Sequence, residues 1–290
     1  MVGTASCSIG ADVIIGVALK WVDLRPEVDP LTGVVSDDGR SHGCSASDHA
    51  ALEWALRMAA VWDAEVVVAT VGPSAADALL RGALAHGATR AVRVAPSGDS
   101  EHAPTSDEVG VLLADALAGA DVVCCGDYSL DGGSGSVPAF LAAHLGAAQA
   151  LGLVQLDIGG PGSLTVTRRL DQGRREVLAV SAPAVLSVEG SSAELRRAGL
   201  AAVLATRDAP IELRSAPPAR PRRVRVTRRA PYRPRAQTIA TSSAHLDVRD
   251  RILALTGALV DRTPPRTVHA ETAEAADLVI EQLRAWGHLE

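Results

Sequence analysis

At 290 residues the chain is long enough for one well-buried α/β domain with an appendage, or for two small domains. Apolar residues make up 47% of it but aromatics only 2%, so the core is expected to be built from Ala, Val and Leu; no apolar run reaches the roughly 20 residues of a membrane span. The formal net charge of −6 conceals a basic stretch, residues 215–235, with eight arginines and no acid.

Five prolines interleave those arginines and favour an extended arm. Without an aromatic platform beside it, nucleic acid is not expected as its partner. The N-terminus lacks a basic region followed by a long apolar stretch, so no secretory signal is expected and the location defaults to cytoplasmic. Cys7, Cys44, Cys124 and Cys125 show no C-x-x-C spacing and are expected as structural thiols, not as a metal site or disulfide framework. Lys20 is the only lysine.

Residues 12–19 form a continuous apolar run, as expected of a strand covered on both faces. An irregular excursion follows, with turn chemistry at Asp29-Pro-Leu-Thr-Gly33 and again at Ser36-Asp-Asp-Gly39. Ser47 suits an N-cap for a helix through Ala60, whose apolar stripe is Ala51, Leu52, Ala55, Leu56 and Ala59. Trp54 and Trp62 read as edge packing. Residues 65–71 make a second strand. Ser74 caps the next helix, with Ala78, Leu79 and Ala83 inward and Gly87 at its end. Residues 91–95 make a third strand, a polar loop spans 96–107, and a helix runs over 108–118. Alternating strands and helices imply right-handed crossovers and a parallel sheet with helices on both faces.

A fourth strand, residues 122–125, opens into the glycine-rich turn Gly126-Asp-Tyr-Ser-Leu-Asp131-Gly-Gly-Ser-Gly-Ser136 and then a helix with Val137, Leu141 and Leu145 on one face. Small residues let backbone approach an anion closely, and a helix N-terminus carries partial positive charge on its N–H groups. The turn therefore suits a nucleotide phosphate; it equally suits a loop that merely closes a βα unit. Ligands of such sheets sit beyond the carboxyl ends of the strands. That rule sets Ala18-Leu19-Lys20, Val71-Gly72-Pro73 and 126–136 along one rim.

Beyond Gly146 the pattern alternates as in an antiparallel hairpin, 163–170 and 174–180 around Asp171-Gln-Gly173. Residues 183–188 are another apolar strand, and 192–206 a loop and short helix. Past the arm, helices are expected over 248–260 and 274–286, the latter with Ala276, Val279, Ile280, Leu283 and Trp286 on one side. The division follows as a nucleotide-binding domain over 1–214, an Arg/Pro-rich arm over 215–244 and a helical segment over 245–290.

The ordered pattern Val17-Ala-Leu-Lys20, Asp29-Pro-Leu-Thr-Gly33, Ala51-Leu-Glu-Trp-Ala-Leu56, Gly82-Ala-Leu-Ala-His-Gly-Ala88, Leu130-Asp-Gly-Gly-Ser-Gly135, Ala142-Ala-His-Leu-Gly146 and Pro183-Ala-Val resembles the beta subunit of electron-transfer flavoproteins, from about residue 12 to 213. The tail, with Ile252-Leu-Ala-Leu-Thr-Gly-Ala-Leu and Arg262-Thr-Pro-Pro-Arg, resembles the mycofactocin-associated branch. The resemblance implies an adenine-nucleotide-binding α/β fold and a non-catalytic redox carrier. It further implies FAD shared with an alpha subunit, and AMP or a second FAD on the beta side. It implies as nucleotide-binding residues Ala18, Ser45, Ser47, Val71, Gly126, Asp131, Gly132, Gly133, Ser134, Gly135, Ser136 and Val137. The family's Asn-Pro-Phe before the first helix is Ser45-Ala-Ser47 here, and its Asp-Gly-Asp-Thr-Gly-Gln turn is Asp131-Gly-Gly-Ser-Gly-Ser136. An acid and an amide are lost, leaving a cradle with fewer side-chain ligands.

For partners the resemblance implies an alpha subunit, a donor dehydrogenase and an electron acceptor. The family's docking run corresponds to Ser192, Glu194, Leu195 and Arg196. Its apolar anchor falls on Ser192, so a donor other than the usual acyl-CoA dehydrogenases is expected, a mycofactocin-linked oxidoreductase at family level. Two rivals stand beside this. A nucleotide-sensing signalling module of similar fold would need no flavoprotein partner. An ATP-cleaving enzyme would use the glycine-rich turn as a pyrophosphatase loop, although that loop belongs after the first strand.

Overall fold

The computed structural model describes residues 13–36, 39–96, 104–217, 246–256 and 267–289. Two compact units are present, Met1–Pro231 and Tyr232–Glu290.

The first unit is built on a nine-stranded sheet: β1 Ile14–Ala18, β2 Glu65–Val71, β3 Arg90–Ala95, β4 Val122–Gly126, β5 Ala148–Ile158, β6 Ser163–Arg169, β7 Arg175–Ser181, β8 Ala184–Val188 and β9 Glu212–Ser215. Their order across the sheet is β7-β6-β5-β8-β4-β1-β2-β3-β9. The pairings from β5 through β9 at the far edge are parallel; the β5–β6 and β6–β7 pairings are antiparallel. Five helices serve this unit: α1 Ala46–Trp62, α2 Asp77–His86, α3 Ser106–Ala116, α4 Val137–Leu145 and α5 Leu200–Thr206.

The strands bury both faces because alternate residues feed two separate apolar clusters. Ile15, Val17, Val66, Val68, Val122 and Cys124 pack with α1 and α2 on one side. Ala18, Val67, Ala69, Val123 and Cys125 pack with Leu113 of α3 and Leu141 of α4 on the other. The mostly parallel α/β sheet with helices on both faces is thus the observed architecture, and the hairpin is its antiparallel edge.

Several local expectations shift. α1 is capped by Ser45, whose hydroxyl accepts the Asp48 N–H at 3.1 Å, and Ser47 lies inside the helix. Ser74 begins a 3₁₀ turn, Ser74–Ala76, and α2 starts only at Asp77, with no side-chain cap. Of the residues expected inward, Ala83 is buried and Leu79 packs half-buried on the core, while Ala78 is exposed and Leu80 is buried. Asp77 instead pairs with Arg93 at 2.6 Å. Thr105 and Glu108 form a reciprocal capping box that starts α3 earlier than expected. Both core tryptophans are buried with partners: Trp54 donates to Ser192 Oγ at 3.1 Å and Trp62 to the Gly159 carbonyl at 2.9 Å. The excursion after β1 holds two short antiparallel ladders, Val22–Asp23 with His42–Gly43 and Glu27–Val28 with Val35–Ser36. β5 and β9 had no counterpart in the expected elements.

In the second unit, α6 Val248–Thr256 and α7 Thr272–Ala285 are present, and Val279 and Trp286 are exposed. Most of the Arg/Pro-rich arm, residues 97–103 of the polar loop expected over 96–107, residues 257–260 of the helix expected over 248–260, and Cys7 lie outside the described residues.

Candidate nucleotide site at the switch point

β1 sends its first two crossovers through β2 to β3 on one side, while β4 lies against its other edge. The chain direction of the winding reverses there, and in open parallel sheets that reversal opens a crevice outside the carboxyl ends of the two strands. Ala18-Leu19-Lys20 leaves β1 and Gly126 leaves β4 at this crevice, with the N-termini of α1 and α4 behind them.

Asp48 ties the crevice together. It is 7% exposed, and its carboxylate accepts the Ser45 hydroxyl at 2.9 Å and the backbone N–H groups of Lys20 and Gly126. Burial pushes its carboxyl up to about 6 despite those hydrogen bonds. Ser45 and Ser47 are buried beside it, with hydroxyls 3.0 Å apart. A Cβ on Gly126 would lie 2.7 Å from Asp48 Oδ1 and 2.7 Å from Ser47 Oγ, so only glycine lets β4 end against the start of α1. The N-terminus of α1 is therefore satisfied from within the protein.

The N-terminus of α4 differs. Ser136 precedes it with no side-chain cap, and the Ser134 and Ser136 hydroxyls stand 3.3 Å apart at its mouth. The turn leading there is closed by Ser129 N–H to Ser134 O (2.9 Å) and Gly133 N–H to Ser129 O (2.8 Å). Gly133 sits at φ +62°, and a Cβ on Gly135 would fall 1.9 Å from the Asp127 carbonyl. Lys20 Nζ reaches the turn, donating to Ser129 Oγ at 2.7 Å and pairing with Asp131. Burial would raise the Asp131 carboxyl, but the hydrogen bonds from Lys20 and Ser129 outweigh it and hold it low. Asp127, next along, is raised by burial and by nearby Glu189.

Of the residues expected at the site, Ala18, Ser45, Ser47 and Gly126 converge on the crevice, and Asp131 to Val137 run along its rim. Val71 ends β2 one strand over and is half-buried in the same cluster as Ala18. Lys20 was absent from that set, whereas Asp48 falls within the matching stretch Ser45 to Asp48; both hold residues of the crevice. The Ser45-x-x-Asp48 spacing ahead of an apolar helix was the available signal.

The docking run lies after β8. Ser192 Oγ is engaged by Trp54, Leu195 is half-buried against the core, and Glu194 is exposed. Arg196 is held by Glu53 of α1 through Nε (2.9 Å), Nη2 (3.1 Å) and its backbone N–H (3.1 Å), with Arg57 on the same carboxylate at 2.8 Å. Burial works against the Glu53 charge, yet these donors hold its carboxyl down at about 2. The i,i+4 spacing of Glu53 and Arg57 was the local signal for Glu53, while its link to Arg196, 143 positions on, left none.

Cys44, Cys124 and Cys125 are buried free thiols, and burial pushes Cys124 up to about 12. Among the described residues no helix is long and apolar enough to cross a membrane.

The electron transfer flavoprotein domain family matches residues 32–219. The chain is 34% identical over 148 residues to the electron transfer flavoprotein subunit beta of Mycobacterium tuberculosis (strain ATCC 25618 / H37Rv), covering 50% of this chain and 54% of that protein. It thus spans about half the length of the mycobacterial relatives it matches. It is 30% identical over 194 residues to the electron transfer flavoprotein subunit beta of Syntrophomonas wolfei, covering 65% of this chain and 74% of that one. Protein FixA of Azorhizobium caulinodans is 29% identical over 197 residues, 65% of this chain and 69% of its own.

Proposed function

Because the chain belongs to the electron transfer flavoprotein family, on the side of its beta subunits, we propose that it is the beta-type half of a heterodimeric electron carrier and takes an adenine nucleotide at the β1/β4 crevice. The observation that carries the site is the contrast between the two helix N-termini there. α1 is filled by Asp48 and Ser45, while α4 meets a glycine-rich turn with two serine hydroxyls and no side-chain cap. That donor set fits a phosphate group.

FAD held between this chain and an alpha-type subunit would supply the redox chemistry, and AMP or a second FAD would lie on the beta side. The chain's own residues bind and orient. Gly132, Gly133 and Gly135 keep the turn free of side chains, Ser134 and Ser136 offer hydroxyls to phosphate oxygens, and Ala18 leaves the β1 end open. Asp48 fixes the two strand ends against each other through backbone N–H groups, so the crevice keeps its width. We read the 245–290 segment as docking on the alpha-type subunit.

The 192–196 run supports a donor unlike the acyl-CoA dehydrogenases. Its anchor position, Ser192, is bonded to Trp54, and Leu195 already packs on the core. A mycofactocin-linked dehydrogenase is the donor we favour.

Co-expression with an alpha-type subunit, followed by extraction of bound nucleotides, tests this reading. The expected result is a one-to-one heterodimer yielding FAD together with AMP or a second equivalent of FAD. A stable yellow monomer, or a heterodimer whose extract holds only the shared flavin, would overturn it.

A further inference from the structure

The crevice holds the chain's one lysine, and it does not point a free charge at a ligand. Lys20 Nζ is bonded to Ser129 Oγ at 2.7 Å and paired with Asp131, the first residue of the Asp-Gly-Gly-Ser-Gly-Ser turn. Ser129 Oγ donates to Asp131 Oδ1 at 2.6 Å and accepts the Gly132 N–H at 3.2 Å. Lysine, serine, aspartate and the glycine backbone form one connected group at the foot of the turn. Other charges nearby do not relieve it. Arg169 is bonded to Glu189 at 2.9 and 3.0 Å, and Asp127 and Asp48 add carboxyl groups of their own. Of these, Lys20 is the cation set against the carboxylate of the turn itself.

We infer that Lys20 controls phosphate binding at the turn by cancelling the charge of Asp131, as a positioning residue and not as a direct phosphate ligand. The inference rests on the nucleotide reading above and adds to it a specificity determinant for the anionic part of the ligand. With both charges present the turn is close to neutral, and a phosphate meets backbone N–H groups and serine hydroxyls. With Lys20 removed, the carboxylate of Asp131 stands uncompensated one residue before Gly132 and repels any anion brought to the turn. The repulsion acts on phosphate and not on the adenine or ribose. Two unit charges a few ångström apart at a partly solvated surface interact appreciably, and salt weakens the effect.

The charge role can be separated from the two alternatives. A direct ligand would be missed whether or not Asp131 is charged. A purely mechanical latch would be broken equally in any variant that loses the pair. Charge cancellation alone predicts that neutralising Asp131 rescues the loss of Lys20.

The test is titration calorimetry of the full chain, purified with its alpha-type partner and stripped of bound nucleotide, with AMP and with adenosine as probes at low salt. Lys20→Met should weaken AMP about tenfold and leave adenosine unchanged, which also reports an intact fold. Lys20→Arg should stay near the parent, and Lys20→Met combined with Asp131→Asn should return AMP affinity to within about threefold of it. A double variant as weak as Lys20→Met, or a Lys20→Met variant with unaltered AMP affinity, would overturn the charge role and leave the nucleotide reading standing. A parent protein that binds neither AMP nor adenosine would overturn the nucleotide reading, and this inference with it.

Discussion

Asp48 shows how one buried side chain serves geometry at a cost in stability. Its carboxyl is raised from an ordinary 3.8 to about 6, chiefly by burial. Between those values the folded protein holds more protons than the unfolded chain, so the stability from this residue is greatest below pH 3.8 and falls as pH rises through about 6. A shift of this size corresponds to about 3 kcal/mol. Asp48→Asn cannot ionise and should lack that slope. In urea unfolding, the stability of the parent minus that of the variant is expected to fall by about 2–3 kcal/mol from pH 4 to pH 7. A difference independent of pH would show that Asp48 is ionised normally in the fold. The strand ends need the carboxylate oxygens for the Lys20 and Gly126 N–H groups, and no serine or asparagine supplies as many acceptors.

At the scale of elements, contact between α3 and α4 is set by a residue without a side chain. A Cβ on Gly110 would lie 2.7 Å from Phe140 Cβ and 3.2 Å from backbone atoms of Phe140 and Leu141. Gly82, in α2, has nothing within 4 Å of the same position. Helix propensity favours alanine at both sites by about 1 kcal/mol, so the two substitutions should differ in sign. Gly82→Ala is expected to raise the unfolding free energy by up to that amount. Gly110→Ala is expected to lower it by about 1–2 kcal/mol, because moving helix backbone outweighs propensity. Equal gains in both would mean that α3 and α4 are not in backbone contact. Such contacts bear on what a sequence reveals. β1 to β4 and β8 were legible as short, nearly continuous apolar runs buried on both faces, and their helices because apolar residues recur at the helical period. β5 was not, because its buried residues Ala150, Leu153 and Leu156 recur every third position. The cause is irregular pairing. The register slips against β8 between Leu186 and Val188 and against β6 at Thr167/Arg168, while Gly152, at φ +70°, donates its N–H to Ser187 Oγ instead of to a strand carbonyl. β9 is four residues long, mostly exposed and polar, and is defined only by its pairing with β3. The glycine turn was legible as small residues between strand and helix. The Lys20 contact to it joins residues 109 and 111 positions apart, which no local pattern records.

For the whole molecule, fold and assembly are separable along the chain. Both apolar clusters are made from residues 13–216, and all nine strands end by Ser215. In the second unit Val279, Ile280 and Trp286, all exposed, lie along one side of α7 and its C-terminal cap, with Glu274, Asp277 and Glu281 on the other. An amphipathic helix with an exposed apolar stripe gains stability when something covers it, and the alpha-type subunit is the cover proposed above. A chain ending at residue 217 should therefore keep the far-ultraviolet dichroism of its sheet and of α1 to α5, losing only the helical signal of α6 and α7, and melt within the ~2–4 °C that about 1 kcal/mol represents at this size. The same truncation should release the partner. With a tagged alpha-type subunit, the full chain is expected to be retained through extended washing and the truncated one to dissociate at least tenfold faster, since removing a buried aromatic anchor acts mainly on the off-rate. Unfolding of the truncated chain would show that the tail completes the core, and equal retention of both chains would show that the interface lies wholly within residues 1–217. Only a stable fold with a faster release assigns the tail to assembly.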